Sequence, residues 1–285
     1  MEKKKRIRSM VILFSIIIIL FVLSLIAPGG AHEDVKDMMQ DAVLHEVNKV
    51  AFLGMEVNPG LISAFVVSGI LIVIAVILRI FAVPKFTTVP GKVQLVLEEI
   101  VGLFSGMAET NSHHRNRFLG AYITIAGTYI FVGTMFELLG IQVVTTEGLS
   151  ISLSAPLSDI NGAIAMGCLS YGVILAGGIL ANGTWGLGQT LKDFSLPISM
   201  SFRLFGALLS GALVTELVYY YSITSMVIPV VVGVLFTAIH ALVQAYVLTT
   251  LVSIFYGEVT EHREKKPKVK KSKKMKNNDI LTEGN

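Results

Sequence analysis

The chain reads as an all-α membrane protein of about six hydrophobic helices, the last two long enough to form a tilted hairpin. Three observations point there. Hydrophobic residues make up 53% of the 285 positions and charged residues only 15%, with a mean hydropathy of +0.71, whereas an ordinary soluble domain carries about 25% charged residues. Six stretches, 10–27, 61–83, 118–143, 161–182, 196–221 and 226–257, match or approach the span of a bilayer core, which takes roughly 17–25 helical residues. Lys and Arg then alternate between the loops in the way that orients a multi-pass protein.

Taken in order, residues 1–28 form an N-terminal membrane segment whose basic start (Lys3, Lys4, Lys5, Arg6, Arg8) belongs in the cytoplasm. The same stretch, ending in APGGA before His32, also has the outline of a secretory signal, and either outcome leaves the later orientation unchanged. Residues 29–60 are an external acidic segment; between 32 and 60 six acids face only Lys36 and Lys49. The membrane domain, 61–257, follows. Its segment 84–117 is inside, with Lys85, Lys92, Arg115 and Arg117, and Arg79 is near enough to that end to snorkel. The loop 144–160, without Lys or Arg, belongs outside. Residues 183–195, with Lys192, return inside, and the basic tail 258–285, with nine Lys or Arg between Arg263 and Lys276, stays there. Both termini are thus expected in the cytoplasm.

Within segment 91–110, Val93, Val96, Leu97, Ile100, Val101 and Phe104 recur at helical spacing. This predicts a one-sided helix along the cytoplasmic face, a soluble partner being the alternative covering. The last two membrane segments exceed what a perpendicular helix needs, so they tilt, kink at Pro229 or lie oblique. The apolar runs leave too little polar chain for a separate catalytic domain. One cysteine, Cys168, excludes an intrachain disulfide framework and a cysteine metal cluster. No cofactor, metal or nucleic acid is expected, and the lipid bilayer is the first partner.

The outstanding residue is Arg203, inside an otherwise nearly uncharged run. A guanidinium is effectively never deprotonated, and at the centre of a bilayer it costs from roughly 3 to above 10 kcal/mol. Such a residue calls for an anionic partner. At about 100° per residue, Ser199, Ala207, Ser210, Val214, Leu217 and Tyr221 fall within about 40° of it. Gly206 and Gly211 lie nearby, and small side chains permit close helix approach. Glu216, 13 positions on, points about 220° round, so it does not pair with Arg203 and instead suits a polar path. His240 and Gln244 are spaced i, i+4 and share a face with Thr237, a stripe that must meet protein or water. Glu137 lies near the outer end of its segment. A histidine in a helix is more often a hydrogen-bonding spacer than a relay, and the amide of Gln244 does not titrate.

Pro197-Ile-Ser-Met-Ser-Phe-Arg203-Leu-Phe-Gly206 resembles a signature of subunit a of the F-type ATP synthase membrane sector, the ATP synthase subunit 6 family. Gln244-Ala-Tyr-Val-Leu and Phe136-Glu-Leu-Leu-Gly140 are similar to two further blocks of that family, in the same order along the chain. The resemblance implies a stator beside a ring of c subunits, with a peripheral-stalk subunit b, in the inner (plasma) membrane. It implies that Arg203 faces the ring's carboxylates and that two half-channels serve them, with no covalent chemistry in this chain. Ser210, Glu216, His240, Gln244 and Glu137 are the candidate path residues. The family's acid fourteen positions before the arginine is Gln189 here, Ala207 stands where Asn is common, and Thr237 where His or Glu is usual. The polar lining has therefore shifted, with Glu216, His240 and Asp193 as substitutes, and proton versus sodium coupling stays open. The rivals are a self-contained secondary transporter and a membrane-embedded hydrolase; His113 and His114 lack any HExxH context for the latter.

Overall fold

The computed structural model describes residues 50–52, 55–112, 116–144, 150–220 and 228–261, with scattered helical positions between 8 and 22. The basic amino end, most of the acidic segment, His113, His114 and the lysine tail lie outside the described residues. A three-residue strand pair opens the account, β1 (Val50–Phe52) antiparallel to β2 (Met55–Val57). Six helices follow: α1 (Pro59–Ile77), α2 (Lys92–Asn111), α3 (Asn116–Phe136), α4 (Ile160–Lys192), α5 (Ser195–Tyr220) and α6 (Ile228–Thr260). Between α3 and α4 a second small hairpin pairs β3 (Gln142–Val144) with β4 (Ser150–Ser152). The protein is all-α in class, and neither hairpin is foreseen from the hydropathy pattern.

Each helix begins and ends for identifiable reasons. Asn58 caps α1, its Oδ1 accepting from Gly60 N at 2.9 Å, and Pro59 occupies the first turn, where its missing N–H costs nothing. The α1 helix runs on through a π-turn (Leu78–Ala82) and a 3-10 turn (Val83–Lys85). It is apolar all round: Val67 is fully buried yet Phe65 is 58% exposed, as expected of a helix whose outer side meets lipid. The α3 helix stops where Gly140 adopts a left-handed conformation (φ 58°) after a 3-10 turn beginning at Glu137. Pro229 sits in the first turn of α6, so it starts that helix instead of kinking it.

Four stretches among the described residues are long and apolar enough to cross a membrane: Pro59–Lys85, Arg117–Leu139, Ile160–Lys192 and Val230–Thr260. The third is not one straight rod. Gly183 has φ 61° and ψ −137°, a conformation open to glycine, and there the chain reverses. Tyr171 OH donates to Thr190 O at 3.0 Å, although an unbroken helix would hold residues that far apart in sequence about 28 Å from each other. The arm 160–182 therefore packs antiparallel against 184–192. A Cβ on Gly178 would lie 2.9 Å from Thr190 Oγ1 and 3.2 Å from Gly186 O, so the two arms meet backbone to backbone. The pairing continues into α5, where a Cβ on Gly167 would lie 2.9 Å from Pro197 O and run into Ser201 Oγ. The apolar run thus ends at the expected residue 182, while 183–195, read from the sequence as a loop, is instead a helical arm folded back at Gly183.

The main core joins Phe104 of α2, Ile123 and Ile130 of α3, Ile174 of α4, Leu204 of α5 and Tyr256 of α6. A smaller cluster of Val67, Phe136 and Leu153 attaches α1. On α2 the one-sided helix is present, but this chain buries only the far end of its apolar stripe. Val93, Val96 and Ile100 stay exposed, while Phe104 and Ala108 further along make the contact.

Gly186→Ala is expected to destabilise the fold by about 1–3 kcal/mol through overpacking, because the new methyl meets the Gly178 backbone, which cannot swing aside. Gly172→Ala, with open space at its Cβ, is the control. Melting of the detergent-solubilised protein measures the difference.

Candidate functional site

The site is built on α5 and α6, joined through 221–227 and packed on each other. At 26 and 33 residues they run about 39 and 50 Å, longer than the roughly 30 Å hydrocarbon core. One side of α5 is anchored by Met200, Leu204 and Leu208, all buried. The opposite side is open: Ser199, Phe202, Arg203, Gly206 and Ser210 are exposed.

Arg203 therefore projects outward from the bundle. Among the described residues none pairs with it by salt bridge or hydrogen bond. No described helix of this chain approaches closely there, since a Cβ on Gly206 would meet nothing within 4 Å. Gly211 is different. A Cβ there would lie 3.9 Å from His240 Cε1 and Nδ1, so this glycine makes room for the imidazole. Within the described residues the small-residue stripe thus meets a neighbouring helix at Gly211, and no described helix of this chain covers it beside the arginine.

On α6 the polar stripe turns toward protein as expected. Gln244 is 6% exposed, and His240 and Thr237 are half-buried. The His240 ring stacks on Phe236, with centroids 5.9 Å apart, and its Nδ1 lies 2.8 Å from Phe236 O. One ring nitrogen is thereby committed to the helix's own backbone, which fixes the ring's orientation. With α5 and α6 antiparallel and Gly211 opposite His240, Gln244 comes level with Ala207, one turn from Arg203. Ser210 shares the arginine's open face but spends its hydroxyl on Ala207 O at 2.8 Å. The helical backbone of Glu216 is described; its side chain is not.

A second group gathers at the other end of α6. Asn182, just before the reversal, donates from Nδ2 to Val259 O at 2.9 Å and to Glu261 O at 2.8 Å. This ties the turn to the end of α6. Gln189 Nε2 reaches Glu258 Oε1 at 3.5 Å, a long contact. Gln189 Oε1 is buried with no hydrogen-bond partner among the described residues, a situation that costs about 1–3 kcal/mol unless a polar guest fills it. Asp193 ends α4, its N–H bonded to Thr190 O at 3.1 Å, and lies within electrostatic reach of the Tyr171 hydroxyl. Glu137 stands apart from both groups, half-buried at the end of α3. Glu258 escaped the sequence reading, although it stands fourteen positions after Gln244, within about 40° of it around the helix. Among the described residues no group of three or more His, Cys, Asp or Glu is placed to hold a metal.

An outward arginine on a long helical hairpin, in the run Pro197–Gly206, is the arrangement against which known families can be weighed. The family described as ATP synthase A chain matches residues 61–257. The chain belongs to that family. Two relatives, both named ATP synthase subunit a, come from Cereibacter sphaeroides strains ATCC 17025 and ATCC 17029. Each is 26% identical over 197 residues, covering 65% of this chain and 75% of the relative. The matched span of the ATP synthase A chain family runs from the first turn of α1 into the last turn of α6, and so contains Arg203, His240, Gln244 and Gln189 but stops one residue short of Glu258.

A cysteine replacing Arg203, in a Cys168→Ala background, is expected to react with a water-soluble maleimide in the isolated detergent-solubilised chain. One replacing Leu204, which is 1% exposed, is expected to react at least tenfold more slowly, about the penalty of opening a packed contact by ~1.4 kcal/mol. Equal labelling of the two would contradict the orientation of α5.

Proposed function

We propose that this chain is the stator-side subunit through which ions pass in a rotary ATP synthase, and that Arg203 is the charge presented to the carboxylates of a c-subunit ring. The observation that carries the reading is the outward projection of Arg203, inside the Pro197–Gly206 run, with no counter-charge among the described residues. A fixed cation favours the ionised form of each carboxylate that comes alongside and so lowers its affinity for a proton or sodium ion. At 4 Å and an effective dielectric of 20, the attraction amounts to about 4 kcal/mol before desolvation. Because the guanidinium cannot itself deliver a proton, it also bars direct leakage past the ring.

In this reading the Thr237, His240 and Gln244 stripe borders one route to the ring, and Gln189 with Asp193 belongs to the other. Glu216 and Glu137 are candidates for the first route and Ser210 lines the face that meets the ring. The chain itself makes and breaks no covalent bond; ATP chemistry belongs to other subunits. The partners are the c ring, subunit b and the surrounding lipid, in the inner (plasma) membrane, with both termini in the cytoplasm. A self-contained secondary transporter would need its central charge answered within its own bundle, and nothing described on α5 or α6 answers it.

Arg203→Ala in the assembled complex is expected to reduce ATP-driven ion pumping in proteoliposomes by well over tenfold, more than ~1.4 kcal/mol of lost coupling, without loss of the complex. Pumping at the wild-type rate would overturn the role given to Arg203. Ion transport by the lone chain would overturn the stator reading itself.

A further inference from the structure

The side of the bundle formed by α1, α3 and α4 holds a space that the ion-path reading does not use. The helices α1 and α4 meet where they begin, since a Cβ on Gly60 would lie 3.0 Å from Asp159 Cβ. Beneath that contact a cavity of about 720 Å³ lies between the three helices, within the roughly 300–1,000 Å³ of pockets that hold small molecules. Small side chains make the room: Ala64 and Ser68 on α1, Ala126 on α3, Gly162 and Ala165 on α4. Along α1 the lining runs from Gly60 to Ile72, about 18 Å of helix. One leaflet of a roughly 30 Å hydrocarbon core is about 15 Å deep, so the cavity is about as long as a leaflet is thick.

The two ends of this space differ in chemistry. Asp159 and Asn161 stand at the end where α1 and α4 begin, the end that the charge pattern of the loops assigns to the outside. Asp159 Oδ1 accepts from Asn161 N at 3.2 Å, and no described cation pairs with the carboxylate. Deeper in, the only polar side chains of the lining are Ser68, Tyr122 and Tyr129. All three are already occupied: Tyr129 is hydrogen-bonded to Ser68, and the Tyr122 hydroxyl lies 2.8 Å from Ser170 Oγ, which itself donates to Met166 O. Water needs two to four polar partners and gains little from side chains so engaged. Ile72, Ile125 and Leu169 are exposed at the rim, so the cavity opens sideways, toward lipid. A membrane-crossing helix laid there would follow α1 on toward Lys85, but the lining stops at Ile72. A charge at one end and hydrocarbon for one leaflet's depth is the pattern of a single lipid.

We propose that this cavity takes an acyl chain of an amine-headed phospholipid from the outer leaflet, with Asp159 facing the ammonium group. The carboxylate sorts headgroups by charge, attracting an ammonium and repelling a headgroup of net negative charge. Apart from the lipid, α1 is attached through the small cluster of Val67, Phe136 and Leu153, so a chain lying against Ala64 and Ser68 extends the contact that keeps α1 on the bundle. The inference is independent of the role given to Arg203.

The test places the whole complex in phosphatidylcholine vesicles containing a trace of phosphatidylethanolamine that carries a photoactivatable diazirine at the end of one acyl chain. After illumination, mass spectrometry of the crosslinked peptides is expected to find the label at the deep end of the cavity, around Ile72, Tyr122 and Leu169. Ala64→Phe, which fills the space, is expected to cut that labelling at least about fivefold, because a ring and a chain cannot share it. Ala75→Phe, exposed on the same helix and outside the cavity, is expected to leave it unchanged. Should Ala64→Phe fail to assemble, Ala165→Phe on α4 makes the same test. For the headgroup, the matching phosphatidylglycerol probe is expected to label about threefold less, the scale of a solvent-exposed ion pair. Asp159→Asn is expected to abolish that difference while keeping the α4 cap, since Asn caps a helix as well as Asp does. Labelling that the filling substitution leaves intact marks ordinary boundary lipid and overturns the proposal. So does a benzophenone amino acid placed at Ala165 that crosslinks to another subunit instead of to lipid. Equal labelling by the two probes in the unsubstituted chain overturns the part given to Asp159.

Discussion

A guanidinium that keeps its proton under all accessible conditions stands on the outer side of α5, and the chain that carries it offers no described group to neutralise it. Left against hydrocarbon, that charge would cost several kcal/mol, comparable to a large part of a domain's net stability. The surrounding structure makes sense as the means of holding it there. Met200, Leu204 and Leu208 bury the inner side of α5 and fix its rotation. Gly206 and Ser210 keep the outer side low, so that a surface from outside the chain can come close to the charge.

What sets the position of α5 is the reversal at Gly183. A helix that continued through this point would carry Thr190 and the start of α5 away from the 160–182 arm. The positive φ turns the chain back, and glycines at 178 and 186 let the returning arm lie close enough for the Tyr171–Thr190 hydrogen bond. The same antiparallel pairing extends to Gly167 against Pro197 and Ser201. Asn182 then fastens the turn to the end of α6. Arg203, Gln189 and Glu258 are thus positioned by one folded-back segment, and a change in its packing would move all three.

The hydropathy pattern made most of this architecture legible. Segment boundaries follow from bilayer thickness, and the expected runs 61–83, 161–182, 196–221 and 226–257 lie close to the helices found. The amphipathic helix at 91–110 was legible from spacing, yet not its contacts: Val93, Val96 and Ile100 carry the pattern but remain exposed, whereas packing begins at Phe104. Periodicity states which residues of a helix share a face. It does not state which face of another helix they meet. That is why the polar stripe of α6 was readable and its fit to Gly211 was not, and why Gln189 was noticed only as a missing acid while its neighbour Glu258, 69 positions away, went unseen. The two small hairpins, three residues to a strand, are too short to leave a period.

The two polar groups are also separated, and the separation has a physical consequence. His240 and Gln244 lie against the middle of α5, whereas Glu258 and Gln189 lie at the far end of α6. Fourteen residues of helix, about 21 Å, with Val247 and Leu251 on the intervening side, divide them along α6. On α5 the connection is interrupted by Arg203. Among the described residues, a cation moving between the two groups would meet either the apolar Val247 and Leu251 or a permanent positive charge, and both are barriers at low dielectric. In the proposed function, a carrier outside the chain takes the ion between the two groups in neutral form. A mobile carboxylate that is protonated or metal-bound on one side of the arginine and ionised beside it meets that requirement, and the uncovered face of α5 is where it would have to travel.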